Sequence, residues 1–136
     1  MLNRAQDIVQ QWLRASANTA ISGEHEAHMA LISHKVSLLG VPGFEIIKYD
    51  DWSRQCKDEF DEGMVKQVMY EATEVVAAGM MLIMFRAVET VEVVDGPIDK
   101  NAIEGVLEKE SDGQWRLTQE RILSSEEAKK YELPVS

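Results

Sequence analysis

All three histidines of this chain lie within the ten residues HEAHMALISH, as His25, His28 and His34. His25 and His28 are three residues apart, so on a helix they would share a face. Three neutral imidazoles can bind zinc, but the spacing differs from HExxH, in which the histidines are four residues apart. We therefore expect no metal site. Two interpretations stay open: a histidine that acts as an acid, base or hydrogen-bond donor, and histidines that only pack or face solvent.

A carboxylate and a guanidinium form the second candidate group. Residues at i and i+2 of a strand share a face, which places Glu89 on the same side as Phe85. In the last predicted strand, Gln119 and Arg121 share a face with Trp115. A buried carboxylate needs a partner, and Arg121 is the one we expect for Glu89.

These faces predict a mainly apolar pocket for a small molecule with a polar handle. Its expected ligand-binding residues are Trp12, Phe85, Glu89, Trp115, Gln119 and Arg121, and its candidate acid–base residues are Glu89, His28 and His34. Two alternatives remain open. Glu89 and Arg121 could be a structural pair that ties strands together, or the opposite face could point inward, with Met84, Arg86, Glu108 and Arg116 inside.

Composition limits the partners. The chain has 136 residues and a net charge of −10, which argues against nucleic acid and anionic membranes as partners. The single cysteine, Cys56, excludes an intrachain disulfide and fits a reducing compartment. The start of the chain does not resemble a signal peptide, and the longest apolar run, at 77–85, is too short to span a membrane. We expect a cytoplasmic protein with no organic cofactor, in which Cys56 is a buried, inert thiol.

Helices are predicted in the first half of the chain. Apolar spacing indicates an amphipathic helix at 2–20 and a short one at about 24–33 with Ser22 as N-cap. An extended stretch follows at 34–39, and then the sequence GVPG breaks it. A third helix is expected to begin at Asp50 or Asp51 and to end at Gly63.

The second half alternates with a period of two. Strands are predicted at 65–78, 80–94, 102–111 and 114–123, with turns at Gly79, Asp95-Gly96 and Asp112-Gly113. Ser124 and Glu127 have the spacing of a capping box for a terminal helix. No linker or repeat interrupts the pattern. We therefore predict a single α+β domain over residues 1–136, with helices packed on one face of a curved antiparallel sheet.

This order of elements resembles the nuclear transport factor 2-like superfamily, a cone-shaped, cystatin-like α+β fold that includes SnoaL-like cyclases and ketosteroid isomerases. The resemblance rests on WLRASANTAISGEHEAHMALISHKVSL at the front and GVLEKESDGQWRLTQERIL at the back. It implies a sheet wrapped around the first helix, a pocket between sheet and helices, and dimers formed through the outer sheet face. Met80, Leu82, Met84 and Val88 could form such a dimer patch.

Function is less constrained, because one fold hosts many activities. In the isomerase branch a catalytic carboxylate precedes the turn after the first extended segment, but the matching stretch 38–43 contains no Asp or Glu. The resemblance therefore favours a SnoaL-like small-molecule binder, or an isomerase, cyclase or hydratase without cofactor, over a steroid isomerase. The alternative is a non-enzymatic dimeric binding or scaffold protein whose cavity is filled by its own side chains.

Overall fold

The computed structural model of the chain describes residues 2–135. Four helices span Leu2–Ser22 (α1), His25–Met29 (α2), Tyr49–Asp61 (α3) and Ser125–Lys130 (α4). Six strands span Ile32–Leu39 (β1), Ile47–Lys48 (β2), Val65–Ala78 (β3), Leu82–Val93 (β4), Ile98–Lys109 (β5) and Trp115–Ile122 (β6). No helix within the described part of the chain is long and apolar enough to cross a membrane.

The strands form one sheet in the order β2-β1-β6-β5-β4-β3. The predicted meander is confirmed, because β3, β4, β5 and β6 pair in sequence as antiparallel neighbours. The expectation of a wholly antiparallel sheet is wrong, since β1 lies parallel to β6. The short strand β2, which the sequence pattern did not predict, pairs with the outer edge of β1.

Helix α1 packs its apolar stripe against the inner face of the sheet. Val9, Trp12 and Leu13 are buried in the main core together with Phe85 and Leu107 from the strands. The indole nitrogen of Trp12 donates a hydrogen bond to the carbonyl of Leu31 at 3.1 Å, so that the ring is fixed as well as buried. This packing holds the helix across the sheet and defines one wall of the site described below.

Helix boundaries differ from the prediction at three places. Helix α2 ends at Met29 and β1 begins at Ile32, although the helix was expected to continue to about residue 33. Ser22 is the last residue of α1 rather than the N-cap of α2, and its hydroxyl donates to the carbonyl of Asn18 at 2.8 Å. Helix α3 begins at Tyr49 after Lys48, so Asp50 and Asp51 stand in its first turn instead of capping it. The predicted capping box of α4 is confirmed in both directions.

A β-bulge in β6 changes the alternation of its side chains. Leu107 pairs with Leu117, whereas the preceding residue of β5, Val106, pairs with Gln119, so Thr118 is an extra residue on β6. Leu117 lies in the core before the bulge. The bulge shifts the alternation by one, and therefore even-numbered residues face inward beyond it.

The C-terminal segment covers part of the outer sheet face. Ala128 and Leu133 pack there against Val88 and Ala102, and the guanidinium of Arg86 lies 3.5 Å from the ring centre of Tyr131. Val88 is consequently 0% exposed. Val88 therefore cannot belong to the predicted dimer patch, whereas Met80 and Leu82 of that patch are exposed.

Candidate functional site

A cavity of about 420 Å³ lies between the inner face of the sheet and helices α1 and α3. Its volume is in the range of pockets that enclose small molecules, roughly 300–1,000 Å³. The residues that line it are mostly apolar and aromatic, among them Trp12, Ile32, Leu38, Trp52, Phe60 and Val68. The polar lining comes from few side chains, chiefly Ser16, His28, Tyr70, Glu89 and Glu120.

Glu89 faces this cavity from β4, on the inner face that alternation predicted. Its partner is Tyr70, directly opposite on β3, whose hydroxyl donates to Glu89 Oε2 at 3.0 Å. The Tyr70 hydroxyl also lies 3.4 Å from Ser16 Oγ on α1. Burial raises the pKa of Glu89, and the hydrogen bond from Tyr70 offsets part of that rise by stabilising the carboxylate.

Glu120 is the second carboxyl group in the cavity. It stands two residues beyond the bulge, opposite Gly105 on one neighbouring strand and Leu38 on the other. Burial and then the charge of Glu89 raise the pKa of Glu120 to about 8. Its side chain makes no hydrogen bond to any group in residues 2–135 and forms no ion pair there. Glu120 therefore holds a proton at neutral pH.

Both carboxyl groups remain in contact with the cavity while protein surrounds them elsewhere. Each residue keeps a partial exposure because it lines the cavity, whereas the surrounding atoms remove most of the water that would solvate a charge. Interacting acids of this kind lose their protons in two coupled steps. We therefore treat Glu89 and Glu120 as one pair that shares a proton near neutral pH.

The electrostatic field of the cavity is negative. Glu59 and Asp99 add two further acidic side chains to its lining, and the lining residues of the described chain include no Lys or Arg. His28 is the only basic side chain among them, and burial lowers its pKa to about 4. His28 is therefore uncharged at neutral pH and cannot balance the carboxylates.

Arg121 does not pair with Glu89, which corrects the prediction. Its guanidinium lies on the outer face, where it donates to Glu127 at 2.7 Å and to Glu104 at 3.4 Å. Glu104 also accepts from Arg86 at 3.0 Å. Because the bulge at Thr118 reverses the alternation, Arg121 turns outward and Glu120 turns inward.

Gln119 follows the same reversal. Gln119 pairs with Val106 of β5 and does not line the cavity. Trp115, which precedes the bulge on β6, and Phe85, which lies on β4, both face inward as predicted. They pack in the core beneath the cavity and do not line it. Of the six expected ligand-binding residues, Trp12 and Glu89 line the cavity.

The alternative in which Arg86, Glu108 and Arg116 point inward is wrong, because these side chains form ion pairs on the other side of the sheet.

The three histidines contact different groups. His28 Nδ1 lies 2.8 Å from Thr19 Oγ1, and its ring meets the edge of Phe60. His25 Nε2 lies 2.8 Å from the carbonyl of Ser53. His34 stacks on Tyr49 with the ring centres 4.2 Å apart, outside the cavity lining. Over residues 2–135, no cluster of three or more His, Cys, Asp or Glu side chains is arranged to hold a metal ion.

Cys56 also lines the cavity from α3. Burial and the nearby charge of Glu59 raise its pKa to about 12, so the group remains a thiol at physiological pH. A thiol in this state is a poor nucleophile. The side chain is half-buried, not buried as expected, and forms part of the cavity wall.

Three residues of the polar set, Ser16, Tyr70 and Glu120, were missed by sequence reasoning. Tyr70 was assigned to the core because it lies in a strand with regular alternation. Glu120 was assigned to the solvated face because uninterrupted alternation puts it opposite Leu117. The sequence offers one weak signal: TQER in β6 has four consecutive polar residues where a regular inward face would need an apolar one.

A six-stranded sheet folded around a long N-terminal helix, with a cavity beneath that helix, is the nuclear transport factor 2-like architecture. Comparison with solved structures shows the same fold. A nuclear transport factor 2-like protein of unknown function from Shewanella oneidensis MR-1 matches with a TM-score of 0.73 and 13% identity, covering 86% of this chain and 97% of that chain. A nuclear transport factor 2-like protein with a cystatin-like fold from Novosphingobium aromaticivorans matches with a TM-score of 0.70 and 17% identity, covering 98% of this chain and 90% of that chain.

A third solved structure, a proposed scytalone dehydratase from Novosphingobium aromaticivorans DSM 12444, matches with a TM-score of 0.68 and 9% identity. This match covers 86% of this chain and 81% of that chain. No family model matches the sequence, and no curated protein matches it either. At these identities the likeness establishes the fold and leaves the activity to the site.

Proposed function

We propose that this protein binds a small, mostly apolar molecule in the cavity and transfers a proton at its polar group. An isomerase, cyclase or hydratase that needs no cofactor works in this way. One observation carries the proposal: two carboxyl groups of unequal proton affinity, Glu89 and Glu120, face the same apolar cavity. Environments that separate the proton affinities of two acids are how active sites assign the roles of acid and base.

The roles follow from the contacts of each group. Glu89 accepts the hydrogen bond from Tyr70, which favours its ionised form and suits it to take a proton. Glu120 lacks such a donor and lies near the Glu89 charge, which favours its protonated form and suits it to give one. Burial holds the pKa of Tyr70 well above its usual value, so its hydroxyl stays a donor.

The position of the acid differs from the pattern that the isomerase branch implies. The residue that would carry a carboxylate there falls in the stretch around Leu38, and Leu38 is an apolar wall of the cavity. Its register partner on the parallel strand β6 is Glu120. The inner face of the sheet thus still carries an acid beside the position of Leu38, but the acid comes from the neighbouring strand β6.

An isotope-exchange experiment tests the proposal. A panel of apolar ketones with acidic α-hydrogens, beginning with 2-tetralone, is incubated with the protein in D₂O at pH 7, and loss of the α-hydrogen signal is followed by ¹H NMR. We expect the wild type to accelerate exchange and Glu89→Gln and Glu120→Gln each to slow it by at least about a hundredfold, the lower end of general acid–base contributions. Glu108→Gln, on the outer face, serves as the matched control.

If the wild type exchanges no member of the panel faster than buffer does, the proton-transfer function is contradicted. A scaffold whose cavity is filled by its own side chains would give that result. The open volume of about 420 Å³ argues against such filling.

We also propose that two copies pair through the uncovered part of the outer sheet face. Met80 and Leu82 are 81% and 43% exposed near the β3–β4 turn, and Met84 shares their face. Light scattering tests this pairing: the wild type is expected at twice the mass of one chain, and Leu82→Glu at the mass of one. A monomeric wild type at tens of micromolar would contradict it.

A further inference from the structure

We propose that the polar group of the ligand is an ammonium, so that the cavity is selective for hydrophobic organic cations. The inference rests on the binding part of the proposed function, namely that the cavity is a ligand site, and names a chemical class of ligand that would occupy the cavity with Glu120 ionised. Two features that are independent of each other support it: an enclosed acid without a partner, and an aromatic wall around it.

The first feature is the position of Glu120, which faces the cavity and has no side-chain hydrogen-bond partner among residues 2–135. Its carboxyl group is enclosed by protein except where it faces the cavity, and no group in residues 2–135 donates to it. Buried polar groups nearly always have a hydrogen-bond partner. Glu120 is half-buried and faces the cavity, so solvent or a ligand there supplies its donor, and a positively charged donor would bind both Glu120 and the neighbouring Glu89 more strongly than a neutral donor would.

Charge balance leads to the same class of ligand. Two carboxylates cannot both ionise cheaply in a poorly solvated site unless a cation is near. In the described chain neither Glu89 nor Glu120 forms an ion pair, and a proton on Glu120 reduces the negative charge of the two carboxyl groups instead. An ammonium can take the place of that proton, so its binding should release a proton to solvent. The acidic lining residues Glu59 and Asp99 would attract a cation towards the cavity and repel an anion.

The second feature is the aromatic wall. Trp12, Trp52, Phe60 and Tyr70 all contribute to the lining, from α1, α3 and β3. Aromatic faces attract organic cations, and tryptophan does so most strongly. The hydrocarbon body of an amine would be buried against the same rings, which a metal ion or a small inorganic cation could not exploit.

The test compares two molecules of the same shape. The cumylammonium ion (protonated 2-phenylpropan-2-amine) and tert-butylbenzene differ in one group, NH3+ or CH3, and so in one unit of charge and in the presence of N–H donors. Binding to the full-length protein at pH 7 is measured by quenching of tryptophan fluorescence and by calorimetry in phosphate and in Tris buffer, which separates proton release from binding heat. We expect the cation to bind at least about tenfold more tightly than the neutral molecule and to release a fraction of a proton, up to one.

The double variant Glu89→Gln/Glu120→Gln should lose the preference and the proton release but still bind tert-butylbenzene, whereas Glu108→Gln should keep both. Circular dichroism checks that each variant is folded. If the double variant does not fold, the wild-type comparison in two buffers decides alone.

The alternative outcomes separate this inference from the proposed function. If the wild type binds tert-butylbenzene as tightly as the cation, the inference is overturned and the cavity remains a ligand site. If a folded double variant keeps the preference for the cation, the attraction comes from the general negative charge of the surface, and the inference is again overturned. If neither molecule binds, the inference is overturned, and the ketone-exchange experiment decides the proposed function separately.

Discussion

The hydroxyl of Tyr70 donates a hydrogen bond to Oε2 of Glu89 at 3.0 Å, across the β3–β4 pair and at the wall of the cavity. This contact makes the two carboxyl groups of the cavity unequal. Glu89 has a donor that favours its charge, and Glu120 has none among residues 2–135. The proposed division of roles between base and acid depends on this difference.

Replacing Tyr70 by Phe should therefore change the acid–base behaviour of the site more than its fold. Loss of the donor is expected to raise the pKa of Glu89 further, because the hydrogen bond now lowers it. The pH at which ketone exchange reaches half of its maximum should move upward, and unfolding by urea should cost about 1 kcal/mol less. Ser16→Ala is the matched control, since its 3.4 Å contact with Tyr70 is longer. An unchanged pH profile in Tyr70→Phe would show that the hydrogen bond has no part in setting the base.

Stability should fall as the pH rises through the range in which Glu120 ionises. Its pKa is raised in the folded state from 4.5 to about 8, so the folded protein binds the proton more tightly than the unfolded chain does. The stabilising effect is fully present below pH 4.5 and is lost as the pH rises towards 8, by at most about 1.4 kcal/mol per pH unit. His28 has a pKa of about 4 when folded but still titrates near pH 6.5 in the unfolded chain, so its contribution is removed by comparing the wild type with Glu120→Gln over the same pH range.

Glu120→Gln should flatten this slope. Urea unfolding at pH 6.5 and at pH 8 measures it, and the variant is expected to be more stable than the wild type at the higher pH. Equal slopes in the two proteins would mean that Glu120 is solvated and ionised at neutral pH, contrary to the placement described above.

Arg121→Met tests the assignment of Arg121 to the outer face. The variant loses the contacts with Glu104 and Glu127 that hold α4 against the sheet. We expect it to be less stable by about 1–2 kcal/mol, allowing for partial solvent screening of the pair. Its affinity for cavity ligands should match that of the wild type. A selective loss of ligand binding in a protein of unchanged stability would instead place Arg121 in the site.

Gly105→Ala tests the floor of the cavity. A Cβ at this position would lie 2.5 Å from Cζ of Phe85 and 3.3 Å from Cδ1 of Leu117, and Phe85 is fully buried. The ring of Phe85 would have to move beside Gly105, whose register partner on β6 is the cavity residue Glu120. We expect a loss of about 1–3 kcal/mol from overpacking together with weaker ligand binding. Unchanged stability and binding would show that the Phe85 ring can move aside without a loss in the free energy of unfolding.

The sequence predicts much of this fold because its signals are local. The period of two over residues 65–122, interrupted by glycine turns, predicted all four long strands and their antiparallel order. The capping box at Ser124 and Glu127 likewise predicted α4. These features depend on neighbours within a few residues along the chain.

The errors come from interactions between distant segments. The parallel pairing of β1 with β6 joins segments about 85 residues apart, and no local pattern encodes it. The bulge at Thr118 is visible only in the register of β6 against β5. Because of that one extra residue, Glu120 and not Arg121 faces the cavity. The expected ion pair of Glu89 with Arg121 is therefore replaced by two acids, Glu89 and Glu120.

The most direct measurement of the central claim is a ¹³C NMR titration of the glutamate side-chain carboxyl carbons, with Glu89→Gln and Glu120→Gln used for assignment. We predict two coupled signals that titrate above the usual range, with Glu120 near pH 8 and with its midpoint lowered in Glu89→Gln, because the neighbouring charge is gone. Two independent signals with midpoints near 4.5 would contradict the account, since the carboxyl groups would then be solvated and would share no proton.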